Sequence, residues 1–255
     1  MRPGRTTRRR GWATGDAEPG LVVYGVNPVL ELLRSTHPCT RLLLGRGPRQ
    51  QEIERAAGER GVPVEVAEQT TLERLARSPH HQGTVALSAG FSYAPLDRLI
   101  APGCPSVLAL DGVQDPRNLG AILRTACAFG IGGILLPRDR SVGVTGVVVA
   151  TAAGVLFDRP VVRVPNLVQA LERLKEHGFW LVALAPHGGT PLPAHSVPER
   201  AVLVAGGEGE GLRPLVRRTC DFAVSIPMEP GVESLNVGVA VGIALYELII
   251  RRRPS

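Results

Sequence analysis

The chain contains little cysteine and few aromatic residues. Its 255 residues include four cysteines, and Phe, Trp and Tyr together make up 4%. The cysteines are widely spaced, with no Cys-x-x-Cys pair and no nearby set of histidines, so the pattern favours neither a disulfide framework nor a metal site. We expect free, buried thiols in a reducing cytoplasm and no bound metal. Aromatic side chains are also scarce in residues 20–94, so stacking on bases is expected to contribute little to nucleic-acid binding there.

The chain also lacks an apolar leader and an apolar run long enough to cross a bilayer. Its basic start is followed by Gly, Asp and Glu, which is not the pattern of a signal peptide. The final apolar stretch, Leu235 to Ile250, is shorter than the roughly 20 residues of a membrane span and contains Asn236 and Glu247. Its apolar residues surround the helix axis, and Gly238 and Gly242 are four apart. This pattern predicts a helix buried in a protein core or a subunit interface.

Lysine is nearly absent, and arginine carries the positive charge. The formal net charge is +6, which suits an RNA partner, although Lys175 as the single lysine suggests that genome composition also favours arginine. In the first 20 residues, five arginines against Asp16 and Glu18 leave a net charge of +3. We expect residues 1–19 to be a disordered basic tail that contacts RNA phosphates. The alternative is a solubilising extension or an incorrect start site.

A polar segment with the sequence Asp-Pro-Arg-Asn-Leu-Gly occupies residues 115–120. It follows a predicted buried strand, Val107 to Leu110, and a turn-rich loop, and it precedes a predicted helix with Asn118 as its N-cap. On that helix Gly120, Arg124 and Ala128 lie four apart, away from the apolar stripe. A guanidinium flanked by small residues suits bidentate binding of phosphate or carboxylate. Alternatively, Arg124 is an ordinary surface arginine.

A glycine-rich loop, Gly206 to Gly211, follows the predicted strand Ala201 to Ala205. It is not a P-loop, because Gly211 is followed by Leu-Arg-Pro instead of Lys and Ser or Thr. Its position near the C-terminus also differs from that of a dinucleotide-binding fingerprint. The carboxylates of Glu208 and Glu210 disfavour a polyanion and favour a cationic ligand or hydroxyl groups. The alternative is a solvated acidic turn.

A third segment, Glu-Ser-Leu-Asn-Val at 233–237, opens the final predicted helix. Ser234 has the residue type of an N-cap. Asn236 has no such routine structural role in this prediction, so we expect its amide to lie at the mouth of the core.

Together, these three segments resemble the signature motifs of a known family. The order Asp-Pro-x-Asn-x-Gly-x-x-x-Arg, Gly-x-Glu-Gly-x-Gly and Ser-Leu-Asn-Val, spread over residues 107–251, is similar to the SpoU (TrmH) class of SPOUT RNA methyltransferases. Residues 20–95 resemble, more weakly, the small RNA-binding domain of the RlmB branch. The residues that carry this second resemblance are Tyr24 to Glu31 and His81-Gln82-Gly83.

The resemblance implies an α/β fold in two domains. A small N-terminal α/β RNA-binding domain would span residues 20–94, a linker residues 95–105, and a parallel-sheet SPOUT domain with a deep trefoil knot residues 106–255. The SPOUT domain would also form a homodimer. Independently, the chain alternates predicted helices with apolar strands, a pattern typical of a covered parallel sheet. These strands are Val107–Leu110, Gly133–Leu136, Trp180–Leu184, Ala201–Ala205 and Asp221–Ile226.

The smaller domain has its own predicted elements. A helix is expected to begin with Asn27 as N-cap and Pro28 in its first turn. The pattern also predicts a helix over Gln50–Arg60 and strands over Arg41–Leu44, Val62–Val66 and Thr84–Leu87.

The resemblance further implies an activity, which is S-adenosylmethionine-dependent methylation of a ribose 2′-oxygen, in the RlmB branch on a guanosine of large-subunit ribosomal RNA. Transfer RNA, or ribosomal RNA in antibiotic resistance, is the alternative substrate. The residues implied around the reacting ribose and methyl group are Asn118, Arg124, Glu208, Ser234 and Asn236. Those implied around the cofactor are Leu184, Val204, Gly206, Gly207, Ile226, Met228 and Leu235. For RNA phosphates, the candidates in the small domain are Arg34, Arg41, Arg46 and Arg49.

Other classes of protein remain open at this point. A non-catalytic RNA-binding protein could lack Asn118, Arg124 or Asn236, yet all three are present, and an oxidoreductase would need the missing phosphate fingerprint. In the family that the chain resembles, the motif arginine, here Arg124, is proposed to accept the proton that the 2′-hydroxyl loses. A guanidinium ordinarily stays protonated far above neutral pH, which makes that proton transfer costly. We therefore prefer the hypothesis that Arg124 anchors a phosphate or the developing alkoxide.

Overall fold

The structure is a computed structural model that describes residues 20–104, 106–192, 198, 200–209 and 211–250. The predicted basic tail, Pro105, Glu210 and the last five residues lie outside this description.

The small domain is a four-stranded mixed sheet with helices. Its elements are β1 (Leu21–Tyr24), α1 (Val26–Arg34), β2 (Arg41–Leu44), α2 (Gln50–Arg60), β3 (Val64–Val66), α3 (Gln69–Ala76), a 3₁₀ turn (Pro79–His81) and β4 (Thr84–Ser88). The strand order is β1-β4-β2-β3, with β4 antiparallel to both neighbours and β2 parallel to β3. The α1 helix buries an apolar face that includes Val29, Leu30 and Leu33 against this sheet.

The boundaries of β2 and α2 are as predicted, β4 is one residue longer than predicted because it ends at Ser88, and the starts of α1 and β3 differ. The α1 helix begins one residue earlier than Asn27, and its N-cap is Gly25 with φ of 91°, so the prediction of Asn27 as N-cap was wrong. The β3 strand begins at Val64, because Gly61 ends α2 in a left-handed conformation and the Val62 N–H donates to the Ala57 carbonyl, 2.9 Å away.

The large domain is a seven-stranded sheet in which every pairing is parallel. Its elements are α4 (Asp97–Ile100), β5 (Ser106–Asp111), α5 (Pro116–Ala128), β6 (Gly133–Pro137), α6 (Gly146–Thr151), β7 (Val161–Val164), α7 (Leu167–Glu176), β8 (Trp180–Leu184), β9 (Thr190–Pro191), β10 (Ala201–Gly206), α8 (Pro214–Thr219), β11 (Phe222–Ser225) and α9 (Val237–Leu245). The strand order is β7-β6-β5-β10-β8-β11-β9. The predicted α/β class and the five predicted strands are confirmed, whereas β7 and β9 were not anticipated. The trefoil knot remains a prediction.

The last helix is shorter than predicted and is not buried all round. It runs from Val237 to Leu245 and continues as a π-helical turn over Tyr246–Ile250. The helix packs on α5, where an added side-chain carbon on Gly242 would lie at ordinary contact distance, 3.5 Å from Thr125 Cγ2. In the single chain, however, Val239, Ile243 and Tyr246 remain 53%, 39% and 46% exposed. Within the described residues, no helix is both long and apolar enough to cross a membrane.

The segment predicted as a linker is part of the large domain. The Ala94 N–H donates to the Val161 carbonyl over 2.8 Å, and Ala94 forms a parallel bridge with Val162. Next, α4 places Leu96 and Leu99 in the core on one face of the large sheet. Residues 95–104 are therefore anchored to the sheet by packing and hydrogen bonds.

The two domains are in close contact. Any side chain at Gly146, the first residue of α6, would collide with the Val22 carbonyl of β1. At Gly154 an added carbon would lie 2.9 Å from Pro28 Cα. The ring of Phe91 stands 6.1 Å from that of Phe157, and one core cluster includes residues of both domains. The small domain is thus packed against the large domain.

Candidate active site

A cavity of about 360 Å³ opens at the carboxyl ends of β8, β10 and β11. Ligands of parallel α/β sheets bind at this edge. Its lining consists of Leu184, Ala185, Pro186, Ala205, Gly206, Gly207, Glu208, Gly209, Gly211, Ile226, Met228, Ser234, Leu235, Asn236, Val237 and Ala240. Six of the seven predicted cofactor residues are in this set. Val204 is not, because its side chain is fully buried in the core beneath the cavity.

The glycine-rich loop folds tightly over the end of β10. A side chain at Gly206 would overlap the carbonyl group of Gly211, and one at Gly207 would lie 2.7 Å from the Gly112 carbonyl carbon. The Gly207 N–H donates to the Asp111 carbonyl over 2.8 Å, which ties the loop to the neighbouring strand β5. The glycines are therefore needed because three backbone segments meet here.

A buried ion pair holds the base of this loop. The Asp111 carboxylate, with a fully buried side chain, accepts hydrogen bonds from Arg213 Nε at 2.7 Å and from the Arg213 backbone N–H at 3.0 Å. Arg213 is also the N-terminal boundary residue of α8. This pair was missed by the sequence analysis. A lone acidic residue at the end of an apolar strand was a signal for Asp111, but nothing local pointed to Arg213.

The N-cap of α5 is Asp115, so the prediction that Asn118 caps this helix was wrong. The Asp115 carboxylate accepts a hydrogen bond from the Arg117 N–H over 2.7 Å. Pro116 occupies the first turn of the helix, where a backbone N–H has no partner within the helix, so the missing N–H of proline costs nothing. Asn118 therefore lies inside the helix, and its side chain is available for other partners.

Asn118, Glu208 and Asn236 form one hydrogen-bonded network. Asn236 Oδ1 caps α9 by accepting from the N–H groups of Gly238 and Val239, at 2.9 and 3.3 Å. Its Nδ2 then donates to Asn118 Oδ1 at 3.3 Å, and Asn118 Nδ2 donates to the Glu208 carboxylate. Because the cap fixes which end of Asn236 is the donor, it also fixes the orientation of both amides.

Asn236 therefore has the capping role that we had considered for Ser234. Ser234 lies two residues before the cap and lines the cavity. The prediction that Asn236 lacks a structural role was wrong, but its amide does reach the mouth of the cavity as expected.

Arg124 is not in this network. It is exposed on α5 and has no hydrogen-bond or ion-pair partner in the described part of the chain. The expectation that Gly120 opens space beside Arg124 was wrong. Gly120 is buried against α6, where an added carbon would lie 2.9 Å from the Val148 carbonyl oxygen.

The predicted RNA-binding arginines differ in their surroundings. Arg34 pairs with Glu31 and Glu52, at 3.0 and 3.2 Å, and Arg41 pairs with Glu65 at 2.8 Å. Arg49 bonds to Glu52 at 2.6 Å, and this hydrogen bond lowers the pKa of Glu52. Of the four, Arg46 alone is exposed without such a partner among the described residues.

The two family-like segments of the small domain meet beside Arg46. The Val26 N–H donates to Gln82 Oε1 over 3.0 Å, and a side chain at Gly83 would lie 2.8 Å from the Arg46 carbonyl carbon. His81 is fully buried and accepts from the Gly83 N–H, so it supports the loop structurally.

The cysteines are free thiols, as predicted, although Cys104 alone is fully buried and the other three are partly exposed. Burial raises the pKa of Cys127 and of Cys220 to about 11, so both thiols are protonated at neutral pH. Among the described residues, no group of His, Cys, Asp and Glu could hold a metal ion.

The protein has a parallel α/β sheet whose carboxyl edge carries a glycine-walled cavity and a hydrogen-bonded network of two amides and a carboxylate. These features together define its class. The family model described as "SpoU rRNA Methylase family" matches residues 105–246. A second, "RNA 2'-O ribose methyltransferase substrate binding", matches residues 22–94. The chain belongs to the SpoU family of RNA methyltransferases.

Individual relatives agree with this assignment. The chain is 36% identical to a putative TrmH family tRNA/rRNA methyltransferase of Staphylococcus haemolyticus, over 91% of this chain and 96% of that protein. It is 39% identical to an uncharacterized tRNA/rRNA methyltransferase of Mycobacterium ulcerans, over 99% and 86%. Among solved structures, an AdoMet-bound rRNA methyltransferase from Sinorhizobium meliloti is similar with a TM-score of 0.79 and 27% identity, over 92% of this chain and 88% of that one.

Proposed function

We propose that this protein transfers a methyl group from S-adenosylmethionine to a ribose 2′-oxygen of RNA, in the cytoplasm and as a homodimer. The proposed substrate is a nucleotide of large-subunit ribosomal RNA. The observation that carries the proposal is the cavity whose mouth bears the Asn118–Glu208–Asn236 network.

S-adenosylmethionine is the cofactor, and the cavity residues fit it. Leu184, Ile226 and Leu235 offer apolar surface to an adenine ring, and the bare backbone at Gly206 and Gly207 allows close approach. The Glu208 carboxylate at the cavity wall favours a cationic ligand such as a sulfonium. When bound, the cofactor supplies an electrophilic methyl group.

The side chains of the network orient the acceptor. Since the α9 cap fixes both amides, the site presents donors and acceptors in a defined arrangement before RNA binds. Such preorganisation contributes to rate, because well-aligned partners have large effective molarities. The arrangement requires neither a metal nor a covalent intermediate with the enzyme.

Arg124 is proposed as the anchor for an RNA phosphate or for the developing alkoxide. It is six residues beyond Asn118, or about 9 Å along the helix axis. An exposed guanidinium at that distance suits the RNA backbone. A pH–rate profile tests this proposal. With Arg124→Lys, we expect a lower rate and an unchanged apparent pKa. High activity with a shifted apparent pKa would instead show that residue 124 takes the proton.

The exposed apolar residues of α9 support a homodimer. Val239, Ile243 and Tyr246 recur at helical spacing on one side, opposite the face that packs on α5. We expect sedimentation equilibrium to give twice the chain mass for the wild type and the chain mass for Val239→Asp. The matched control is Val66→Asp, because Val66 is 96% exposed on the small domain. A monomeric wild type would rule out the dimer.

Ribosomal RNA is favoured as the substrate by the small domain. Its match to the substrate-binding model and its close contact with the large domain suit a structured RNA read by shape. Transfer RNA is the alternative. Ribose methylation should be mapped across both RNA classes in a strain lacking the gene. Loss of one 2′-O-methyl nucleotide from large-subunit ribosomal RNA is expected, and loss from transfer RNA would favour the alternative.

A further inference from the structure

Arg140 has an unusual backbone conformation. Its φ is 58°, in the left-handed region that residues with a Cβ rarely adopt outside helix ends. The other described non-glycine residues with positive φ all flank a helix: Arg49 directly precedes α2, and Arg77, Gln82 and Ala153 follow the ends of helical segments. Arg140 alone among them lies in the middle of a loop, between β6 and α6.

The loop around Arg140 is held on both sides. The Arg138 N–H donates to the Val164 carbonyl over 2.8 Å. On the other side, the Val142 N–H and the Ser141 hydroxyl both donate to the Val113 carbonyl, at 3.0 and 3.1 Å. Such a conformation persists when the surrounding structure over-determines it, and this combination of strain and support is found at functional sites.

The loop lies beside the active site. A side chain at Gly112 would be 3.8 Å from the Arg140 carbonyl, and Gly112 in turn contacts Gly207, the residue before Glu208. The Arg140 side chain is exposed and has no ion-pair partner among the described residues. The Arg140 backbone therefore lies next to the segment that leads to Glu208. Arg124 lies on a different element, α5.

We propose that Arg140 binds a backbone phosphate of the RNA substrate next to the nucleotide being methylated. The inference rests on the proposed function and adds a substrate-binding residue to it. The held loop keeps the guanidinium in place before RNA arrives, so less side-chain entropy is lost on binding. The strained backbone is retained because Arg140 must present its charge from this loop.

Arg140→Gly is the most informative variant, because glycine adopts positive φ without strain while the whole side chain, with its charge, is removed. The matched control is Arg98→Ala, an exposed arginine on α4, which leads into the opposite, amino-terminal edge of the sheet. Methyl transfer to total RNA from a strain lacking the gene would be measured at several salt concentrations. Cofactor binding would be measured by calorimetry.

For Arg140→Gly we expect a thermal midpoint no lower than that of the wild type, an unchanged cofactor Kd and a KM for RNA about tenfold higher. Its log KM should also depend less steeply on log salt, by about 0.7 for a single-stranded contact. Arg98→Ala should match the wild type throughout. An Arg140→Gly enzyme with the wild-type KM and salt slope would overturn the assignment. A wild-type enzyme that does not methylate RNA would instead overturn the proposed function.

Discussion

The large and small domains use charged and polar side chains in different ways. In the large domain, Asp111 is fully buried and holds Arg213, and Asn118, Glu208 and Asn236 share one network. In the small domain, the Arg41–Glu65 pair leaves both side chains about half exposed. A buried charge is costly unless it is paired, so the Asp111–Arg213 pair fixes a geometry that exposed pairs do not. The Asn118–Glu208–Asn236 network is itself exposed, and the α9 cap holds it in place. The comparison indicates where the chemistry is located.

The largest effect is expected for Gly206→Ala in the cavity of the large domain, and the property that should change is cofactor binding. The added carbon overlaps the Gly211 carbonyl, and backbone on both sides cannot yield as a flexible side chain would. Calorimetry should show cofactor binding weakened by more than about 100-fold, or 2.7 kcal/mol. Gly58→Ala in α2 is the control, because nothing lies within 4 Å of its added carbon. Unchanged cofactor binding in Gly206→Ala would place the cofactor elsewhere.

Breaking one ion pair in each domain sharpens the comparison further. Asp111→Ala should lower the free energy of unfolding by about 3 kcal/mol, the lower end for a buried pair, because 36% of the Arg213 side chain is exposed. Glu65→Ala should change it by less than about 0.5 kcal/mol. Urea denaturation of both variants measures the difference. Equal effects would contradict the contrast between the domains.

Asn236→Asp separates capping from the network. Aspartate can still accept from the Gly238 N–H and cap α9, but it cannot donate to Asn118. We expect the free energy of unfolding to equal that of the wild type. We expect kcat to fall about 100-fold, because the reacting groups would no longer be held in the productive geometry. Asn236→Ala, which removes both roles, should also lose about 1 kcal/mol of stability. If Asn236→Asp retains full activity, the hydrogen bond to Asn118 has no catalytic role.

The smallest expected effects concern the arginines of the small domain. Arg46→Ala should weaken RNA binding about threefold, because its guanidinium has no carboxylate partner among the described residues. Arg41→Ala should have less effect, since Glu65 already neutralises that charge. Filter binding at 0.1 M salt measures both. A larger effect for Arg41→Ala would mean that RNA displaces Glu65 from its pair.

The sequence was most informative where the residues of a site are ordered in motifs. The segments around Asn118, Glu208 and Asn236 were predicted to meet, and they do so through direct hydrogen bonds. The N-caps of α5 and α9 were misassigned because several suitable residue types occur within three positions of each helix start. Local pattern cannot decide which of them the backbone uses.

Long-range pairing could not be predicted in the same way. Asp111 and Arg213 are 102 residues apart, and no periodicity links them. Nor could the sequence distinguish Arg46 from Arg41, because the carboxylate that pairs with Arg41 comes from a different strand. For Arg34 and Arg49, glutamates three residues away were a local signal that the analysis did not use. The reason for glycine at positions 146 and 154 likewise became clear only when β1 and α1 were found against them.

The central claim is that the cavity directs a methyl group to a ribose oxygen. Purified protein should be incubated with total RNA from a strain lacking the gene and with cofactor carrying a tritiated methyl group, and the RNA then digested to nucleosides. We expect the label in one 2′-O-methylated nucleoside, and we expect Asn236→Asp to transfer it about 100-fold more slowly. Label on a base, or no transfer to RNA at all, would contradict it.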